Sequence, residues 1–182
     1  YGTPFRIYRV YTPNNEPYTN SLILNDKVLV PVTGSDWDEE ALLAYQLAMP
    51  GYEVMGFDGS WASTDALHCR TKGIADLGML YIEHLPVHET VPANLDCIIN
   101  TRIEAFSGAD LVTDSLLIYY HINHGNPQVS PLTRVNRDYF QGVIPGQAYQ
   151  DTVFYYIYAA DGSGRRVSHP RMGFSDPHYF VI

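Results

Sequence analysis

Lysine is almost missing from this chain. Only Lys27 and Lys72 occur among 182 residues, and the 11 basic residues face 20 acidic ones, a net charge of −9. The longest basic run is Arg165-Arg166. Without a positive stripe to displace counterions from phosphates, nucleic acid is excluded as an expected partner. Long apolar runs are missing too: no window approaches the roughly 20 residues of a helical membrane span. No charged-then-apolar leader opens the chain. The first residue is Tyr1 rather than Met, which predicts either removal of an N-terminal segment by processing or a piece of a longer protein. Cysteine is scarce, with Cys69 and Cys97 only, which excludes a disulfide framework and a cysteine-rich zinc site. One bridge, two buried thiols, or one reactive thiol and a bystander stay open. What is present, 46% hydrophobic and 17% charged residues, is globular composition with enough length for one domain or two small ones.

The chain changes character near residue 90. The first 90 residues carry 12 acids and 5 bases; the remaining 92 carry 8 and 6 and read as strands throughout. The proline-bracketed stretch Leu85 to Ala93 predicts a linker between units 1–88 and 92–182. In the first unit, Phe5 to Tyr11 alternates as a strand. Ser21 to Leu24 and Val28 to Val32 flank Asn25-Asp26-Lys27 as a hairpin. Ser35 and Asp36 are the candidate caps of a helix on which Trp37, Ala41, Ala44, Tyr45 and Ala48 recur at helical spacing until Pro50-Gly51. A strand over Tyr52 to Phe57 completes a strand, strand, helix, strand unit, too small to bury a sheet alone. In the second unit, strands are expected at Cys97 to Ala105, Leu116 to Asn123, Tyr139 to Ile144, Thr152 to Ala160 and Tyr179 to Ile182. Their turn signals suggest an immunoglobulin-like sandwich. The fold class expected is therefore α+β, ending in an all-β sandwich. The aromatic run Val153 to Ala160 reads as strand packing rather than a ligand platform.

The residues with chemistry cluster between Trp61 and Asp76, after the glycine-bearing loop Gly56 to Ser60. Cys69 is flanked by His68 and Arg70 with Lys72 nearby, and positive charge favours the nucleophilic thiolate. A simple His68–Cys69 dyad is disfavoured, because neighbours on extended backbone project to opposite faces. Asn20, where the Pro17-Tyr18-Thr19 loop enters the hairpin, is a turn residue or a polar site residue. The scattered acids make no EF-hand loop, and no cofactor is indicated. A negative field over the first unit would draw a cation, although Asp36, Asp38, Glu39 and Glu40 are more simply a solvated helix start.

Tyr18 to Asn25, Val30-Pro31-Val32, Met49 to Val54 and Thr64-Asp65-Ala66-Leu67-His68-Cys69-Arg70-Thr71, with Phe154 to Arg165 in the second unit, resemble the C-terminal part of bacterial peptidylarginine deiminases. The resemblance covers nearly the whole chain, and its most specific part is the Cys69 motif. It implies a partial α/β propeller, the last ββαβ blade of a guanidino-group-modifying enzyme, followed by an immunoglobulin-like domain. In that family a cysteine attacks the guanidinium carbon, a histidine protonates the departing ammonia and activates water, and two acids grip the guanidinium. By motif match Cys69 is the nucleophile, Asn20 the site asparagine and Thr64 a threonine lining the substrate pocket; Asp65 and His68 are further substrate-binding candidates. The family's His-x-Asp pair, its other guanidinium-binding acid and its carboxylate-gripping basic residues would precede Tyr1. The resemblance therefore implies a missing N-terminal catalytic segment as partner, an arginine-containing peptide or protein as substrate, and a secreted or cell-surface setting. Two other readings stand beside it: a small-molecule hydrolase similar to agmatine deiminase, and a non-catalytic adhesive or structural module.

Overall fold

The computed structural model describes residues 6–88 and 90–182, which divide into two compact units, one ending at Ala75 and one running from Asp76 to Ile182. No helix among the described residues is long and apolar enough to cross a membrane.

The N-terminal unit is a three-stranded sheet with one helix. Strands β1 (Leu22–Leu24) and β2 (Lys27–Val32) form an antiparallel hairpin. Its turn is made by Asn25, with φ at 56°, a conformation asparagine tolerates better than most residues. Helix α1 (Asp38–Ala48) then carries the chain to β3 (Glu53–Asp58), which lies parallel to β2. Residues 6–11, expected as a strand, form none; the remainder of that expectation, at Phe5, lies outside the described residues.

The helix start also differs from expectation. Trp37 occupies the cap position, with no side-chain cap bond. Asp38 instead turns its carboxylate back to accept the backbone N–H of Gly34 at 2.8 Å and the buried hydroxyl of Tyr18 at 2.8 Å. Ser35 accepts the Trp37 N–H at 3.3 Å. Asp38, one of the three acids of this first turn, is therefore recruited by the preceding loop as well as by the helix terminus. The unit buries Tyr18, Val28, Val30 and Ala41 but leaves Ile23, Leu24, Leu43, Leu47 and Phe57 exposed.

The C-terminal unit is an antiparallel β-sandwich. It contains β4 (Leu80–Glu83), β5 (Cys97–Ala105), β6 (Leu117–Ile122), β7 (Gln128–Pro131), β8 (Thr133–Asn136), β9 (Tyr139–Ile144), β10 (Thr152–Ala160), β11 (Arg166–His169) and β12 (His178–Val181). One sheet has the order β4-β5-β9-β8; the other has β11-β10-β6-β7, with β12 also paired to β10. Both β11 and β12 use β10, β11 against residues 157–160 and β12 against 152–155. Alternation builds the core: Cys97, Ile99, Thr101 and Ile103 of β5 and Val153, Tyr155, Ile157 and Ala159 of β10 are buried. Gly142 of β9 marks a close approach, since an added Cβ would collide with Ile118 Cδ1 and lie 3.1 Å from the Pro131 carbonyl.

The expected strands Cys97 to Ala105, Tyr139 to Ile144 and Thr152 to Ala160 match β5, β9 and β10 in their bounds, whereas β4, β7, β8 and β11 were not anticipated. The change of unit falls between Ala75 and Asp76, not at the expected linker. The reason is β4, which pairs antiparallel with β5 from Leu80↔Ala105 to Glu83↔Arg102. Ion pairing between Asp76 and Arg165 at 3.2 Å draws the segment before β4 into the same unit. The described residues of the proline-bracketed stretch, 85–88 and 90–93, correspondingly belong to the sandwich unit, where Val91 donates its N–H to the Val181 carbonyl at 3.0 Å.

At another corner of the sandwich the buried Asp161 organises a loop. Its carboxylate accepts the Ser163 hydroxyl at 2.6 Å, the Ser163 and Arg165 backbone N–H groups, and the Ser107 hydroxyl at 3.2 Å. The Ser163 bonds lead in holding its pKa below the usual carboxylate value, against the opposing effect of burial.

Candidate functional site

Cys69 lies on an exposed 3-10 turn over His68–Arg70. The turn is placed by a polar frame around Tyr18. The Tyr18 hydroxyl donates to Asp38, while the Tyr45 hydroxyl donates to the Tyr18 carbonyl at 2.9 Å and meets Ser21 Oγ at 2.9 Å. Burial first, then the Asp38 bond, push the Tyr18 phenol up to about 12. These bonds fix the turn 17–20, closed by the Asn20 N–H on the Pro17 carbonyl at 2.8 Å. Asn20 then holds the cysteine turn at three points. Its carbonyl accepts the His68 N–H at 3.1 Å. Its side-chain Oδ1 accepts the Cys69 N–H at 3.2 Å, and its Nδ2 donates to Cys69 Sγ at 2.9 Å.

The amide orientation follows from chemistry, because the Cys69 backbone N–H needs an acceptor and only Oδ1 can supply it. Nδ2 is therefore committed to the sulfur. A thiolate can accept that N–H, whereas the thiol proton has its own acceptor in the Thr64 carbonyl, 3.6 Å from Sγ. The site thus offers one partner suited to each protonation state of the sulfur.

The other expected residues fall into distinct places. Thr64 meets Cys69 through its backbone carbonyl. Asp65 is committed to Arg70: its Oδ2 accepts Arg70 Nε at 3.1 Å and Nη2 at 2.9 Å. The same guanidinium lies over the Trp61 ring, 5.2 Å from its centre, and the Trp61 indole N–H donates to the Phe57 carbonyl at 2.9 Å. Asp65 raises the Arg70 pKa further, with a smaller contribution from Cys69. His68 contributes backbone groups, its N–H to Asn20 and its carbonyl to Thr71. The local backbone is a tight turn, not the extended segment expected for it. The brace of Trp61, Asp65 and Arg70 was missed by sequence reasoning; an acid five residues before an arginine in a turn-rich loop was the available signal.

An open polar cleft of about 670 Å³ in the same unit is lined by Asn14, Asn15, Glu16, Thr33, Ser35 and Trp61, among others. Neither Asn20 nor Cys69 lines it, so their side chains converge on each other and not on this cleft. Glu16, only 8% exposed, accepts from the Asn14 backbone and side-chain N–H groups and the Ser35 hydroxyl. Burial raises its pKa, but hydrogen bonding, from its own backbone N–H first and then from Asn14 and Ser35, outweighs burial and the net shift is downward. Among the described residues, no group of three or more His, Cys, Asp and Glu side chains is arranged to hold a metal ion.

The second cysteine differs throughout. Cys97 begins β5, is buried against the sandwich core and is not bonded to Cys69. Burial pushes its thiol pKa up.

Among the described residues the structure is thus mostly β, with one α-helix and an antiparallel sandwich. No family model matches it. Among solved structures it is similar to the crystal structure of a Br derivative of BhCBM56, at 9% identity and a TM-score of 0.34, over 48% of this chain and 79% of that one. A likeness of that size carries no argument about function.

Proposed function

We propose that this chain is the C-terminal part of a secreted peptidylarginine deiminase, with Cys69 as the nucleophile that converts peptidyl arginine to citrulline. The observation that carries the reading is the reciprocal Asn20–Cys69 clamp, formed across 49 positions of sequence at an exposed loop. A structural thiol has little need of a dedicated side-chain amide. A nucleophilic one gains a fixed sulfur position and a donor to its charged form.

The reaction proceeds by attack of the Cys69 thiolate on the guanidinium carbon. The C–N bond to one terminal nitrogen breaks, that nitrogen leaves as ammonia, and a thiouronium remains on sulfur. Water then adds to the same carbon, the C–S bond breaks, and citrulline leaves with the thiolate restored. Asn20 positions the sulfur in both steps, and the Trp61–Asp65–Arg70 brace holds the loop on which it stands. The proton-transfer histidine and the guanidinium-binding acids belong to the N-terminal catalytic segment. The exposed Ile23, Leu24, Leu43, Leu47 and Phe57 fit a last propeller blade whose neighbours lie in that segment, and the sandwich is then its immunoglobulin-like companion.

The test uses the full-length parent protein. With Cys69→Ala it should form no citrulline from arginyl peptides, while keeping the folded state of the unmodified protein; retained citrulline formation removes the assignment. Agmatine and an arginyl peptide supplied side by side distinguish the peptide enzyme from a small-molecule hydrolase.

A further inference from the structure

The C-terminal sandwich contains a cluster of histidines unrelated to the Cys69 loop. His84 follows directly on β4; His169 ends β11 and His178 begins β12. The junction of β11 and β12 along β10 brings the last two together, because His169 pairs with Ile157 and His178 with Tyr155. His169 Nδ1 and His178 Nε2 are 2.9 Å apart, so one ring donates to the other. Ring centres separate by 5.0 Å for His169–His178, 5.5 Å for His84–His178 and 6.0 Å for His84–His169.

The tautomer of His84 is set by its partners. Nδ1 lies 2.7 Å from the Asn100 carbonyl, which can only accept, so Nδ1 carries the proton. Nε2 is then the acceptor for the Tyr155 hydroxyl at 2.8 Å. The Tyr155 oxygen accepts the Val87 backbone N–H at 3.2 Å. The result is a polarised chain from Val87 through Tyr155 and His84 to Asn100. It joins the strap after β4 to β10 of one sheet and β5 of the other. A proton on His84 Nε2 reverses the middle bond: Nε2 becomes a donor, and the buried Tyr155 hydroxyl loses its acceptor.

We infer that His84, His169, His178 and Tyr155 form an acid-sensitive latch, which closes the strap His84 to His88 onto the sandwich while the imidazoles are neutral and releases it when they take up protons. Among the described residues, the hydrogen-bond partners of the three imidazoles include no carboxylate. The strap contributes His88, β5 the Asn100 carbonyl, β10 Tyr155, and β11 and β12 the two other imidazoles. Those neighbours that bear charge when protonated are all cations. Glu83 of β4 is paired with Arg102 of β5, which also pairs with Glu104. Arg171 and Asp176 lie between β11 and β12. Burial leads in lowering all three pKa values, to about 4 for His84 and about 3 for His178, with His169 lowered too. The sign follows: a histidine that is neutral when closed and ordinary when open favours the closed form above its open-state pKa near 6.5. That preference is lost as pH falls from there toward the lowered values. Each proton taken up on opening raises the opening equilibrium about tenfold per pH unit within that window.

The test is hydrogen exchange of residues 84–88 in the intact chain between pH 7.5 and 5, corrected for intrinsic rate. Protection should fall by about tenfold or more per pH unit below 6.5, ahead of the central strands β5 and β10. Flat protection overturns the latch. His84→Gln keeps a donor and an acceptor without a titrating ring and should lower the slope by about one proton; an unchanged slope also overturns it. Should that variant fail to fold, imidazole carbon-proton NMR signals of the unmodified chain decide. Three signals that stay neutral to well below pH 6 support the latch, and three independent titrations near 6.5 refute it.

Discussion

The two cysteines divide the molecule. Cys69 stands on an exposed turn held by an asparagine, a backbone carbonyl and a braced arginine nearby. Cys97 lies 28 positions later in a strand whose alternate side chains fill an apolar core. One residue type is thus a polar-loop nucleophile candidate in one unit and a small hydrophobe in the other. Burial and partner chemistry, not identity, separate them. Each unit buries an apolar core, around Tyr18 and Val28 in one and around Ile99 and Tyr155 in the other, and each also exposes large apolar side chains, Leu43 and Leu47 in the first, Val135 and Phe174 in the second.

The sharpest way to break this contrast is competitive alkylation of the native chain with a small haloacetamide. Cys69 should react faster than Cys97 by about 100-fold or more, because Cys97 must await an opening of the sandwich. In denaturant the ratio should fall to about one. Equal native rates would erase the distinction.

Next in size is Gly142→Val. Its side chain collides with Ile118 and crowds Leu132, so the sandwich should lose about 1–3 kcal/mol by denaturant unfolding. Cys97 labelling should accelerate while Cys69 labelling stays as before. Asn20→Ala reverses the pattern: Cys69 should alkylate several-fold more slowly and Cys97 at its original rate. An unchanged Cys69 rate would reduce Asn20 to a turn residue. Arg70→Gln, which removes the Asp65 partner, should have a smaller effect of the same sign on Cys69.

The smallest expected effect is confined to acid. Asp161 has a lowered pKa in the folded sandwich. Its contribution is present above the unfolded carboxylate pKa near 4 and is lost as pH falls through the lower folded value. A melting series from pH 5 to 3 should therefore decline, and Asp161→Asn should flatten that limb after starting from a lower melting temperature.

Some elements were legible because their signal is local. Cys97–Ala105 and Thr152–Ala160 alternate over nine residues each, enough for the period of a half-buried strand to stand out. Ala41, Ala44, Tyr45 and Ala48 repeat at helical spacing. Cys69 and Asn20 were visible as site candidates through motif and residue chemistry. The strands β4, β7, β8 and β11 were not: four residues carry little period, and β7, β8 and β11 lack the apolar run that marked the equally short β12. Leu80–Glu83 becomes a strand because β5 offers it a ladder.

What the sequence determined by itself was thus the alternation, the helix and the chemistry available to each side chain, all set by neighbours along the chain. Only the tertiary structure decided which groups meet. Asn20 reaches Cys69 across 49 positions, and Tyr155 reaches His84 across 71. Asp65, free on paper to bind a substrate, is occupied by Arg70. Such meetings depend on strand pairing and turn closure between distant segments. A hydrogen bond only 3 Å long cannot be located by a pattern that reads the chain a few residues at a time.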